Sequence, residues 1–305
     1  MNKVIVTGAT SMMGLAFINE CIKNRTQVIA IIRENSKKRN LISKSAMITV
    51  IECDIAKISS LDLGKKNRFD ALYHFAWEST DPSSRNKPDH QLKNIVSTLD
   101  TVRFASKNGC KRFIGAGSQA EYGKISGKIT TDLNVSPDSA YGIAKYSAGK
   151  LAAILSQELG IEFIWTRIFS VYGINDMPTT MIMYCIDCMI KGQKPILTRC
   201  EQVWEYLNCK DAAKAFWLLG NKGINQTIYN IGSGNPRVLL EYVKELRDCI
   251  DKTIPLGIGE KEYSANQIMS LYADISALER DTGFKPEISF TQGIQETIEW
   301  YKELM

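Results

Sequence analysis

The sequence predicts an α/β protein built on a doubly wound parallel sheet, with a smaller C-terminal α/β lobe. Two observations carry this expectation. Short runs rich in Val, Ile and Phe alternate with helical stretches through the first half of the 305-residue chain. Beyond Arg167 the regularity fades, and Pro178, Pro195, Pro236, Pro255 and Pro286 punctuate shorter elements. Strand, helix, strand at this spacing implies parallel strands joined by crossover helices. The division expected is residues 1–168 with about 210–232 in one domain, and 169–209 with 233–305 in the other.

In order along the chain, residues 4–7, 27–32, 48–52, 71–75, 112–115 and 162–167 read as strands. They are β-branched or aromatic in character and end at Gly, Asp or Arg. Residues 14–23, 90–108 and 141–159 read as helices, 211–219 as a further helix and 228–231 as a further strand. Ligands of such sheets sit at the carboxyl ends of the strands, so the residues just after each strand carry the chemistry.

Composition narrows the class. With 44% hydrophobic and 23% charged residues the chain is neither disordered nor fibrous. A net charge of +5 is mild, and the densest basic run, Lys37-Lys38-Arg39, is short. Nucleic-acid binding is therefore not expected. No apolar stretch approaches the ~18–20 residues of a membrane span. Gly8 interrupts the N-terminal apolar run, which argues against a signal peptide and for a cytoplasmic protein. Eight scattered cysteines read as reduced thiols. Cys185 and Cys188 form a CxxC without a second ligand pair, on what reads as an apolar helix face, so no metal is expected.

Gly8-Ala9-Thr10-Ser11-Met12-Met13-Gly14 joins the first strand to the first helix. Glycine at 8 permits a tight turn, and glycine at 14 permits close helix–strand packing. The helix N-terminus offers free N–H groups and a positive dipole end to a pyrophosphate, the arrangement of a dinucleotide-binding turn. The second strand ends at Arg33. A carboxylate there selects NAD through the ribose hydroxyls, whereas an arginine accommodates a 2′-phosphate. Arg33, with Lys37 or Lys38, favours NADP over NAD. Asp54, after the third strand, either reaches the adenine region or caps a turn.

Tyr141 and Lys145 stand at i and i+4, on one face of a predicted helix. A free phenol, with a pKa near ~10, is a poor base at neutral pH. A neighbouring ammonium favours the phenolate, so the pair suits proton transfer at a hydroxyl while hydride moves at the adjacent carbon. Ser118, in Gly115-Ala116-Gly117-Ser118, is placed to bond the substrate oxygen and relay the proton.

These motifs resemble the NAD-dependent epimerase/dehydratase group of the extended short-chain dehydrogenase/reductases, which act on nucleotide sugars. The resemblance rests on Thr7-Gly8-Ala9-Thr10-Ser11-Met12-Met13-Gly14, His74-Phe75-Ala76-Trp77 and Gly117-Ser118-Gln119-Ala120-Glu121-Tyr122-Gly123. It continues through Ser139-Ala140-Tyr141-Gly142-Ile143-Ala144-Lys145 and Arg167-Ile168-Phe169-Ser170-Val171-Tyr172-Gly173, and ends between Ala273-Asp274-Ile275-Ser276 and Gly283-Phe284-Lys285-Pro286. It implies a Rossmann-type fold, a catalytic trio of Ser118, Tyr141 and Lys145, and a homodimer joined through helices 90–108 and 141–159. The cofactor set implied comprises Gly8, Thr10, Ser11, Met12, Met13, Gly14, Arg33, Asp54, Ile55, Phe75, Ala76, Trp77, Asn94, Tyr141, Lys145 and Ile168.

The departures are informative. Ser11 replaces the central glycine of the family's turn. Ser170 stands where an asparagine commonly contacts the substrate phosphates, and Trp204 where an arginine often contacts the nucleotide. The substrate-side set is Trp77, Ser118, Ser170, Arg199, Trp204 and Arg237, with Lys261 a further candidate for the missing positive charge. A 4,6-dehydratase of this family carries acid groups directly after its catalytic Ser or Thr. Here Gln119 and Ala120 occupy those positions and Glu121 comes one residue late, so dehydration is not expected. Arg33, and the likeness of Asn266-Gln267-Ile268-Met269 to reductases of nucleotide-linked 4-keto-6-deoxysugars, lean toward a 4-ketoreductase. The alternative is a 4-epimerase that retains NAD. A non-catalytic NAD(P)-binding regulatory protein is the competing class, and the intact trio argues against it.

Overall fold

A computed structural model describes residues 1–64, 68–265 and 267–305. One parallel sheet comprises β1 (Lys3–Thr7), β2 (Gln27–Ile32), β3 (Ile48–Glu52), β4 (Phe69–His74), β5 (Cys110–Ser118), β6 (Glu162–Ile168) and β7 (Thr227–Ile231). The order is β7-β6-β5-β4-β1-β2-β3, with every neighbouring pair parallel. The winding reverses between β1 and β4, which opens a crevice at their carboxyl ends.

Period-two alternation explains the two cores. Val4 and Val6 face the same core as Phe17, Phe216 and Leu219, from helices α1 (Met12–Lys23) and α4 (Cys209–Lys222). Ile5 faces the opposite core with Val102, Phe104, Ala148 and Ala152, from α2 (Pro88–Lys107) and α3 (Ala140–Glu158). The helix starts are set locally. The Ser11 and Ser139 hydroxyls accept from the N–H groups of Gly14 and Gly142, and Pro88 opens α2.

Two differences from the sequence expectation bear on the site. The fifth strand runs past Gly115 through Ser118, so Ser118 ends a strand rather than lying in a loop. It also N-caps the short 3₁₀ helix Gln119–Tyr122. Gly127–Ile129, from the first half of the chain, pairs with Ser270–Ala273 in a second sheet that also holds Val203–Trp204 and Arg237–Val238. Helices Met181–Ile190, Leu239–Ile250 and Phe290–Glu303 enclose a third core around Ile186, Val243, Leu246 and Ile298. Cys185 and Cys188 are buried free thiols on the first of these helices. Among the described residues no helix is long and apolar enough to cross a membrane.

Candidate active site

The crevice holds a cavity of about 670 Å³. Its walls come from the ends of β1 (Gly8, Thr10, Ser11, Met12, Met13), β2 (Ile32, Arg33, Lys38), β4 (Phe75, Ala76, Trp77), β5 (Gly117, Ser118) and β6 (Ile168, Phe169), with Tyr141 and Lys145 of α3. Of the sequence candidates, those of the glycine turn other than Gly14, with Arg33, Ile55, Phe75, Ala76, Trp77, Ser118, Tyr141, Lys145 and Ile168, stand on this one wall.

The glycine turn is shaped by contact as well as by conformation. Gly8 has φ of +66°, and a Cβ there would lie 2.5 Å from the Ala76 nitrogen. The turn is therefore pressed against the Phe75-Ala76 backbone that closes the neighbouring strand end. Gly8→Ala combines left-handed strain with this overlap, and should cost about 2 kcal/mol or more. A urea-unfolding midpoint close to that of the unaltered protein would contradict it. Ser11, at the family's central glycine position, has a local reason: its hydroxyl holds the Gly14 N–H at 3.0 Å. The N–H groups of Met12 and Met13, in the first turn of α1, have no partner within the helix. This is a fitting cradle for a pyrophosphate.

His74 locks the crevice from beneath. Its ring bridges Thr7 Oγ1 at 2.8 Å and Thr98 Oγ1 at 3.2 Å. Burial pushes its pKa down to about 3, so it stays neutral. Trp77 is held by its indole N–H to Gln91 at 2.9 Å, and Gln91 in turn donates to the Ser79 carbonyl. Asn94 accepts from the Glu78 N–H at 2.9 Å and donates to the Glu78 carbonyl at 3.0 Å. It is absent from the cavity wall and fixes the backbone of a segment that is part of it.

The Ser118 hydroxyl accepts from the Ala120 N–H at 3.2 Å and, beside Tyr141, favours its phenolate. Lys145 is 4% exposed; its Nζ donates to the Ala116 carbonyl at 2.6 Å and lies 3.7 Å over the Trp77 ring. Burial depresses the ammonium to about 7. This alters the expected logic of the pair. Burial pushes the Tyr141 phenol above its usual value, opposed by the Ser118 hydroxyl and by the Arg85 charge. Lys145 is 5.8 Å from the Tyr141 ring, whereas the Arg85 guanidinium is 4.4 Å from it.

Glu121 does not reach the cavity wall. It is 1% exposed, accepts from Trp165 Nε1 and the Ser118 N–H at 2.9 Å each, and pairs with Arg167 Nε at 3.0 Å. The carboxylate of the turn after Ser118 is thus consumed by a capping box and an ion pair.

The family is decided by a sequence model that matches residues 4–232. The chain belongs to the NAD dependent epimerase/dehydratase family. A dTDP-glucose 4,6-dehydratase of Escherichia coli is 27% identical over 343 residues, covering 98% of this chain and 93% of that one. A putative UDP-glucose 4-epimerase of Methanocaldococcus jannaschii is 27% identical over 313 residues, covering 98% of each. Among solved structures, a UDP-N-acetylglucosamine 4-epimerase from Methanobrevibacter ruminantium superposes with a TM-score of 0.89 at 23% identity, over 100% of this chain and 99% of that one. A UDP-glucuronic acid 4-epimerase from Bacillus cereus, solved in complex with NAD, gives 0.85 at 21%, over 99% and 97%. These likenesses to solved structures show the Rossmann-type fold.

The remaining sequence candidates separate. Ile55 lines the cavity with Cys53, but Asp54 is absent from its wall: its carboxylate caps the following turn at the Ala56 N–H, 2.9 Å away. Ser170 and Trp204, the two substrate-side departures from the family pattern, are brought together, with the indole N–H on the Ser170 hydroxyl at 2.7 Å. Neither lines the cavity. Arg237 is committed to Glu241 at 3.2 Å and Glu245 at 2.7 Å, so its charge is spent within its own segment. Arg199 is exposed and also absent from the wall. Asn266 lies outside the described residues. The wall residues not anticipated include two whole segments, Glu78, Ser79, Thr80 and Asp81, and Val171, Asn175, Asp176, Met177 and Thr180. Asp176 is pushed up to about 6 by burial. The one signal for these two segments was that each follows a strand-end motif.

Proposed function

We propose that this chain moves a hydride at C4 of a nucleotide-linked sugar, in the cytoplasm, as a 4-ketoreductase with a preference for NADP(H). One observation carries the reading: Ser118, Tyr141 and Lys145 stand on the wall of the same cavity as the glycine turn. A nicotinamide bound there supplies the hydride donor or acceptor. The chain's own residues manage the proton. Ser118 holds the sugar oxygen against the phenol, and Tyr141 gives or takes the proton at that oxygen. Lys145, titrating near neutrality, exchanges the proton onward. Residues 1–168 with 210–232 carry the cofactor in this reading, and 169–209 with 233–305 carry the nucleotide sugar.

Arg33 and Lys38 on the cavity wall support the NADP(H) preference. Arg33→Asp should weaken NADPH roughly tenfold while sparing NADH, since a charge-assisted hydrogen bond contributes about 1.5–3 kcal/mol. Isothermal titration with both cofactors tests this, and an unchanged NADPH affinity refutes it. A second reading, a 4-epimerase retaining NAD, is favoured by the structural likeness to UDP-sugar 4-epimerases, one solved with NAD. The cofactor that copurifies decides between them. Tightly held NAD without net consumption supports the epimerase; stoichiometric NADPH oxidation with a 4-keto sugar supports the reductase. Dehydration, the activity named for the Escherichia coli relative, lacks its acid groups here. Gln119 and Ala120 carry no carboxylate, and Glu121 is tied to Arg167.

We further propose a homodimer. Helices α2 and α3 pack on each other and leave Leu92, Val96, Ile143, Leu151 and Ile154 exposed. A second copy would cover this apolar face as a four-helix interface.

A further inference from the structure

We infer that Arg85 is a positioning residue that tunes Tyr141, its guanidinium lying over the phenol ring so that the phenolate is favoured for proton transfer. The inference rests on the reading of Tyr141 as the proton-transfer residue. Its basis is the local build of the segment between β4 and α2. Asp81-Pro82-Ser83-Ser84 has the residue types of a turn, acid first and proline second. The Asp81 carboxylate is occupied inside that turn by the Ser83 and Ser84 hydroxyls and N–H groups. The Arg85 N–H closes it on the Asp81 carbonyl at 2.9 Å. Arg85 therefore leaves the turn with its side chain directed onto Tyr141, its guanidinium carbon 4.4 Å from the ring centroid. Among the described residues no carboxylate forms an ion pair with it.

The charged and titratable groups around Tyr141 come from each neighbouring element. Lys145, on its own helix, is 5.8 Å from the ring, and its Nζ is bonded to Ala116. Ser118 and Glu121 come from the end of β5 and the turn after it, with Glu121 paired to Arg167. Glu78, Asp81 and Asp176 line the cavity beyond. Arg85 is thus closer to the ring than Lys145. It also differs in kind. A guanidinium keeps its proton throughout the working range, whereas the buried Lys145 loses its own near neutrality. Ionising the phenol makes the ring face more negative, so a cation over that face gains attraction. Arg85 supplies a constant positive charge while Lys145 is free to exchange its proton.

The test uses the full chain with Arg85→Met and Arg85→Lys, each paired with its Tyr141→Phe counterpart. The ultraviolet difference between the members of each pair isolates the Tyr141 phenolate, without substrate or turnover. Arg85→Met should raise that midpoint by about half to one pH unit, from the usual size of a cation–π contact, and Arg85→Lys should restore part of it. The limb of the pH–turnover profile should move alkaline by the same amount on a UDP- or dTDP-sugar, with KM little changed. An unmoved midpoint in both variants overturns the inference, and a raised KM with it would make Arg85 a substrate contact instead. Should Tyr141→Phe alone keep full turnover, the reading of Tyr141 fails. Should Tyr141→Phe be inactive while Arg85→Met leaves both midpoints in place, only the role of Arg85 fails.

Discussion

Tyr141→Phe will bind NAD(P)H as the unaltered chain does and turn over about 10²–10⁴ times more slowly, the usual contribution of a positioned acid–base group. The change removes one oxygen and little else. The ring keeps its edge-on contact with Trp77, at 6.2 Å between centroids, and its place beneath Arg85. The glycine turn and the N-terminus of α1 stand on different elements and should keep their hold on the pyrophosphate. Ser118 keeps its bond to the Ala120 N–H, but a substrate hydroxyl held there has no phenol to receive or return its proton. Cofactor titration by fluorescence, beside turnover on a panel of nucleotide sugars, separates the two effects. Turnover at the normal rate would remove Tyr141 from the chemistry. A chain that binds cofactor, and is inactive on the panel before any substitution, would instead point to a regulatory protein on this fold.

Much of the sheet was legible because buried parallel strands have a simple signature. Residues 27–32 and 48–52 were placed to the residue, since apolar runs there end abruptly in charged or polar residues. The fifth strand was read to end at Gly115, because Gly117 looks like a loop residue. In the fold Gly117 is a strand residue that makes room for Trp165: a Cβ there would lie 2.3 Å from the indole nitrogen. That requirement comes from a strand about fifty residues later and leaves no local trace. The shared face of Tyr141 and Lys145 and the glycine turn were legible because spacing along one element fixes which side chains share a face. The wall segments 78–81 and 175–180 are irregular, so no period tells which side chains turn inward. Asp54 shows the same limit. An aspartate after a strand suits a ribose contact and a turn cap equally well, and only the Ala56 N–H at 2.9 Å decides between them. That Arg237 spends its charge on Glu241 and Glu245, in the second sheet rather than on the wall, likewise shows only in the fold.

Arg167→Met will cost about 3–5 kcal/mol of stability at neutral pH, the usual penalty for stranding one member of a buried ion pair. Glu121 and Arg167 have side chains only 1% and 3% exposed. Burial already pushes the Glu121 carboxyl up from the ordinary 4.5, and the Arg167 charge opposes that push. Without Arg167 the folded-state value rises further, while the unfolded value stays in the ordinary carboxylate range. The folded variant then holds a proton that the unfolded chain releases, so its stability falls as pH rises through that window and recovers in mild acid. Urea unfolding at mildly acidic and mildly alkaline pH should show this tilt for Arg167→Met but not for the double variant Glu121→Gln/Arg167→Met. Equal losses at both pH values would mean that Glu121 is not the stranded group. The double variant should recover much of the stability, because a glutamine oxygen can still accept from Trp165 and from the Ser118 N–H. The same contacts tie stability to chemistry. Glu121 holds the backbone of Ser118, so a shift of this carboxylate displaces the hydroxyl that faces Tyr141. A carboxylate needed to anchor the serine in this way has no freedom to act as the acid that expels water from a sugar. The ion pair that stabilises the strand end thereby also argues against dehydration.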